Sequence, residues 1–188
     1  MGRIVRVLGA VLLFSTAAVA QGPVGSGSSL GPTQWQLAIG YQYNQINMTG
    51  DPFETHGANF SIARFFGSWF GLEAQVGLGF GKTGSTTFPP NLTAKSVFAG
   101  GGPRLAYRGH SPLEPWVHGE VGMQHFSFSQ TAGLLGDNTA FGWVAGGGID
   151  IRLNPNVAVR TEADAVGTRF FGVDQRHFQA TVGLVFNF

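Results

Sequence analysis

The chain has no cysteine, few charges and no long apolar run, and each shortage removes a class of protein. Without Cys there is neither a disulfide framework nor a thiolate metal site. Lys and Arg number 11 and Asp and Glu 10, together 11% of the residues. A soluble domain carries roughly 25%. Charge this sparse and this balanced argues against a nucleic-acid partner. Beyond the N-terminal segment, no apolar stretch approaches the roughly 18 residues of a membrane helix. What is abundant instead is Gly, with 30 copies, and aromatic residues, at 13%. A chain rich in apolar residues but without a spanning helix crosses a bilayer only as a closed barrel, which also pairs every backbone group internally.

The N-terminus sets the compartment. Arg3 and Arg6 make a positive start, residues 7–14 an apolar core, and Ala18-Val19-Ala20 a small-x-small cleavage site before Gln21. This pattern predicts a secretory signal peptide over 1–20; an uncleaved anchor is the alternative, though the apolar core is too short to span. Setting aside Arg3 and Arg6 leaves nine basic against ten acidic residues. Residues 21–33, rich in Gly, Ser and Pro, read as a flexible lead-in, and 34–188 as one domain of ordinary size.

Within that domain, strand-length segments recur near 35–45, 55–66, 70–81, 95–107, 114–127, 139–153, 157–168 and 176–188. The linkers between them alternate. Those at 46–54, 82–94, 128–138 and 169–175 are long; those at 67–69, 108–113 and 154–156 are tight. Long extracellular loops and short periplasmic turns are the pattern of an up-and-down transmembrane barrel. The expected fold is therefore all-β, with eight antiparallel strands.

The alternation of side chains supports this. In the third segment Phe70, Leu72, Ala74, Val76, Leu78 and Phe80 share one face, and Gly71, Glu73, Gln75, Gly77, Gly79 and Gly81 the other. A period of two sends one set to lipid and the other to the lumen. The first and last segments repeat it, with aromatics at the ends of the outward set and aliphatics between them. Extended to the whole domain, this parity directs Glu73, Arg104, His118, Glu120, Asp150, Arg152, Arg160, Glu162 and Asp164 inward. Asp150 and Arg160 face each other in a simple hairpin register. Buried charges must be paired and hydrogen-bonded, so a salt-bridged, side-chain-filled lumen is expected rather than an open pore. Two alternatives are a narrow channel and a proton or metal site built from Glu120, His118 and Asp164. No metal or cofactor is otherwise expected. Arg64 breaks the pattern: it either snorkels at the periplasmic interface or is turned inward by a bulge near Ala63.

Two stretches carry a family resemblance. Thr181, Gly183, Phe186 and Phe188 resemble the C-terminal assembly signal of bacterial outer-membrane barrels: a polar residue, Gly two later, and aromatics third from last and last. The run Phe141-Gly142-Trp143-Val144-Ala145-Gly146-Gly147-Gly148-Ile149-Asp150-Ile151-Arg152-Leu153-Asn154, with Val157-Ala158-Val159-Arg160, Asp164, Thr168-Arg169-Phe170 and Gly102-Pro103-Arg104, resembles small proteins of the OmpA-like transmembrane class. The resemblance implies an eight-stranded barrel in the bacterial outer membrane, mostly without an assigned activity. Its implied partners are outer-membrane lipid and the barrel assembly machinery, engaged through the last strand. A monomer with a structural or surface-interaction role is expected, with an unknown ligand at the loops as a further option. Nothing follows Phe188 in this sequence, so a peptidoglycan-binding second domain is not expected.

An enzymatic alternative rests on His125-Phe126-Ser127, similar to the His-x-Ser pair of lipid A deacylases. Ser127 would be the nucleophile, His125 its base and Asp137 the orienting acid. Phe128 stands where those enzymes carry Asn. Two phosphate-binding motifs are discounted. Gly79-Phe80-Gly81-Lys82-Thr83-Gly84 ends a strand and opens no helix, and Val76 occupies the first Gly position of a P-loop. Asn47-Met48-Thr49 and Asn91-Leu92-Thr93 fit a glycosylation acceptor that a bacterial cell would not use.

Overall fold

The structure is a computed structural model and describes residues 34–48, 51–83, 92–109, 111–130, 133–170 and 173–188. The expected leader 1–20 and lead-in 21–33 lie outside these residues. The strands are β1 Trp35–Met48, β2 Asp51–Phe65, β3 Phe70–Thr83, β4 Leu92–Ala106, β5 Leu113–Gln130, β6 Gly133–Arg152, β7 Val157–Phe170 and β8 Val173–Asn187. Each is antiparallel to its neighbours, and β1 pairs with β8 to close the barrel. Followed from strand to strand, the pairing that leaves Trp35 returns to β1 near Gln45. That stagger of about ten residues tilts the strands, and eight strands leave an interior just wide enough for side chains to fill.

The faces follow the alternation. Leu37, Ile39, Phe60, Ile62, Leu72, Val76, Val117, Val121, Val182 and Leu184 are exposed on the outer wall. Trp35, Phe66, Trp69, Tyr107 and Phe188 ring the turn end, and Tyr41, Phe80, Phe141 and Phe178 lie at the opposite level. Both belts suit the two bilayer interfaces. Thr181 is buried inside, while Phe188 is exposed at the turn end, where its N–H donates to Trp35 O at 3.0 Å across the closing seam.

The strands run further than the spacing predicts. β5 has 18 residues and β6 has 20, about twice what crosses a bilayer. Pairing continues to Met48↔Asp51, Gln130↔Gly133 and Phe170↔Val173, so most of 46–54, 128–138 and 169–175 is strand. The physical reason lies in the side chains. Beyond the loop-end aromatic belt the period of two persists, but its polarity inverts. On β5, Val117, Val121 and Met123 face out while His118, Glu120 and Gln124 face in; two steps on, Phe126 is buried and Ser127 lies on the outer side. Ile46 and Phe53 are likewise buried inside. An apolar interior with a polar exterior is what a barrel needs where it stands in water. A register shift between Phe128 and Ser129 falls in this protruding part. β2 shows no shift at Ala63, and Arg64 faces outward.

Candidate functional site in the barrel lumen

Five strands, β3 to β7, contribute the charged groups of an ion cluster in the turn-end half of the lumen. Arg104 on β4 is wholly buried and donates from Nη1 to Glu73 Oε1 and from Nη2 to Asp150 Oδ2, each at 3.0 Å. Arg160, in register with Asp150, grips the same carboxylate with a fork: Nε to Oδ1 at 2.8 Å and Nη2 to Oδ2 at 2.9 Å. Its Nη1 reaches Ser61 Oγ at 3.3 Å and Glu73 Oε1 at 3.4 Å. Trp116 completes the box. Its Nε1 donates to Asp150 Oδ1 at 3.0 Å, and its ring lies 4.0 Å from the Arg104 guanidinium carbon and 4.7 Å from that of Arg160. Planar forks matched to carboxylates and stacked on an indole are what make buried arginines tolerable.

His118, two residues along β5, links this box to a second acidic group. Its Nδ1 lies 3.2 Å from Glu73 Oε2 and its Nε2 3.1 Å from Asp164 Oδ1. The other Asp164 oxygen accepts from Gln179 Nε2 at 3.2 Å. Gly146 on β6 makes the room, because a Cβ there would collide with Asp164 Oδ1. Glu120 and Glu162 are buried alongside. Among the described residues, no donor makes a hydrogen bond to either Glu120 oxygen or to Glu162 Oε1. The three residues Glu120, His118 and Asp164 therefore do not form one set. Glu120 groups with Glu73 and His118, and Asp164 groups with Glu162 and His118.

Arg152 sits apart from this cluster. It pairs with Glu114 at the turn end, as does Arg108, whose Nε is 3.0 Å from Glu114 Oε1. Gln36 Nε2 donates to Glu114 Oε1 at 3.2 Å and to Asn187 Oδ1 at 3.0 Å. Phe65 packs against the Arg108 guanidinium at 4.2 Å, with Ala63, Ala106 and Trp116 behind it. The sequence reading passed over Glu114, Arg108 and Trp116. All three share the parity of Arg104 or His118, which was the available signal.

Toward the loops the lumen changes character. Gln42, Asn44, Thr55 and Asn59 form a chain of neutral hydrogen bonds of 3.1–3.3 Å. Above them Ile46, Phe53, Ala94 and Phe126 make an apolar cluster, with Phe128 and Ala140 packed against it. The enclosed cavity below this cap measures about 10 Å³, about the space of a single water.

On the outer wall, Arg64 lies over Trp35 at 5.2 Å and Phe66 at 5.3 Å, a snorkelling cation seated in the turn-end belt. His125 Nδ1 is 2.8 Å from Thr139 Oγ1. Asp137 stands opposite Ser127 across β5 and β6, whereas Thr139 stands opposite His125. The expected acid is thus not behind the expected base.

A profile for the outer membrane protein beta-barrel domain matches residues 7–186. The chain belongs to this family. Its fold is similar to that of neisserial surface protein A, at 12% identity and TM-score 0.65, covering 87% of this chain and all of that one. It is also similar to Ail of Yersinia pestis, solved in complex with the heparin analogue sucrose octasulfate, at 16% identity and TM-score 0.57, covering 83% of this chain and 100% of that one. OprG of Pseudomonas aeruginosa matches at 10% identity and TM-score 0.57, over 86% of this chain and 99% of that one. No curated protein matches the sequence. The family and these neighbours make this chain a bacterial outer-membrane β-barrel.

Proposed function

We propose that this protein is a non-conducting barrel of the outer membrane, filled by its own side chains, whose role is structural or lies in surface contacts at its protruding end. The observation that carries this reading is the stacking of three closures along one lumen: the Arg108–Glu114–Arg152 group, the Arg104–Arg160–Asp150 box and the Phe53–Phe126 cap. A permeating ion would have to cross fixed, paired charges and then an apolar cluster, and such dry constrictions oppose conduction. The polar outer face of the protruding hairpins, with Glu54, Ser127 and Asp137, offers the surface for contact with molecules outside the cell.

Export by the segment 1–20, assembly through Thr181, Gly183, Phe186 and Phe188 on the closing strand, and a monomeric state in lipid complete the proposal. Catalysis is not part of it, because His125 is held by Thr139 and the acid faces Ser127. Planar-bilayer recording of the refolded protein tests the reading. No steady current is expected. A steady current that changes when Arg104 or Glu120 is neutralised would replace the filled lumen with a narrow channel.

A further inference from the structure

The turn-end half of the lumen contains more negative than positive side chains. The cluster holds five carboxylates, Glu73, Glu120, Asp150, Glu162 and Asp164, against Arg104, Arg160 and, when protonated, His118. The two arginines are paired with Glu73 and Asp150. Glu162 is only 7% exposed, and its Oε1 accepts no hydrogen bond from the described residues. One ligand atom each from His118, Glu162 and Asp164 lies within 4.8 Å of the others. A buried, ionised carboxylate costs several kcal/mol unless a proton or a cation neutralises it, and three donors within 4.8 Å of one another offer a cation that place.

We propose that the barrel encloses one divalent transition-metal cation of the zinc class, held by His118 Nε2, Asp164 and Glu162. The donor set is one imidazole nitrogen with carboxylate oxygens, which suits a borderline cation rather than Mg²⁺ or Ca²⁺, whose ligands are all oxygen. The far side of the ring is already arranged for this. Glu73 Oε2 lies 3.2 Å from Nδ1, so with a cation bound Nδ1–H would donate to this carboxylate and Nε2 would give up its proton and turn its lone pair to the metal. A carboxylate behind a ligating histidine is the usual support of such a metal. Arg104 and Arg160 hold that carboxylate in turn. Gln179 fixes the second Asp164 oxygen, and Gly146 leaves space beside the first. Glu120 adds negative potential from the Nδ1 side, with its Oε1 3.7 Å from that nitrogen. The ion is enclosed at both ends of the lumen, so it enters as the barrel folds and exchanges slowly afterwards. The site rests on this side-chain cluster alone and holds whether or not the barrel conducts.

The test is to fold the full chain in detergent with Zn²⁺ or Co²⁺ present, strip loose metal with a chelator, and measure metal retained per folded chain. One ion per chain is expected, and it remains when the outer-wall histidines are removed (His56→Asn, His125→Asn). In Glu162→Gln/Asp164→Asn retention falls about tenfold or more, the scale on which ligand-shell changes act. Metal below a tenth of an ion per folded wild-type chain overturns the proposal, as does equal retention in the folded double variant. Should that variant fail to fold, X-ray absorption of the Co²⁺-loaded wild type decides. A shell with one imidazole supports the site, and an all-oxygen shell overturns it.

Discussion

The two ends of the lumen are closed by different chemistry. Toward the turns, space is filled by arginines, carboxylates and Trp116, linked by charged hydrogen bonds; toward the loops, it is filled by amides and then by Ile46, Phe53 and Phe126. The switch occurs where the outer wall turns from apolar to polar. Inside the bilayer a barrel cannot use the hydrophobic effect to drive its own filling, because the surroundings are already apolar; ion pairs and hydrogen bonds do the joining there. Above the bilayer, water surrounds the wall, and apolar burial becomes the effective glue. One chain therefore uses two rules of packing along one axis.

Three substitutions would break or sharpen this contrast. The largest effect is expected at the ionic end. Arg104→Ala leaves Glu73 and Asp150 facing one arginine fewer in a dry interior, and costs about 3–5 kcal/mol as other broken buried pairs do. The urea midpoint of the folded, heat-modifiable form reads this directly, and a loss under about 1 kcal/mol would mean that water reaches the cluster. At the apolar end Phe126→Ala empties most of the cap and costs about 3 kcal/mol. Arg104 lies eight residues along β4 from Ser96, the partner of Phe126, a separation of about 26 Å at the strand rise. The double variant should therefore add to within about 0.5 kcal/mol; a larger coupling would mean that the two closures act as one. The smallest effect is at Arg64→Ala, which removes a cation from the Trp35 and Phe66 rings at the interface and costs about 0.5–1 kcal/mol.

How much of this was legible in the sequence varied along the strands for a physical reason. Where the wall meets lipid, as from Leu72 to Phe80, outward residues must be apolar and the parity of every lumen group can be read without a structure. Asp150 opposite Arg160 and the inward Glu73, Arg104 and His118 follow from that. At the loop end the same period carries the opposite polarity, so Ile46, Phe53 and Phe126 resemble the end of a strand rather than its continuation. Parity also says which way a side chain points but not its height relative to a distant strand. Height depends on the stagger between strands, which is why Arg152 was grouped with the central charges although it pairs with Glu114. Trp116 was missed because an indole is expected in the outer belts, whereas here its N–H has a buried carboxylate to serve.

The seam between β1 and β8 joins the segments at the two ends of the strand order. Every carboxylate and guanidinium in the central cluster comes from β3 to β7, yet the cluster is shut away from water only when that seam forms. A partly inserted sheet would present Glu73, Arg104 and Asp164 along an open trough that must stay hydrated. Completion of the circle is then the moment at which solvent is expelled, and a truncated or mispaired polypeptide would remain wet, ionic and unfit for a greasy environment. The charges thus reach a dry setting only in the finished ring.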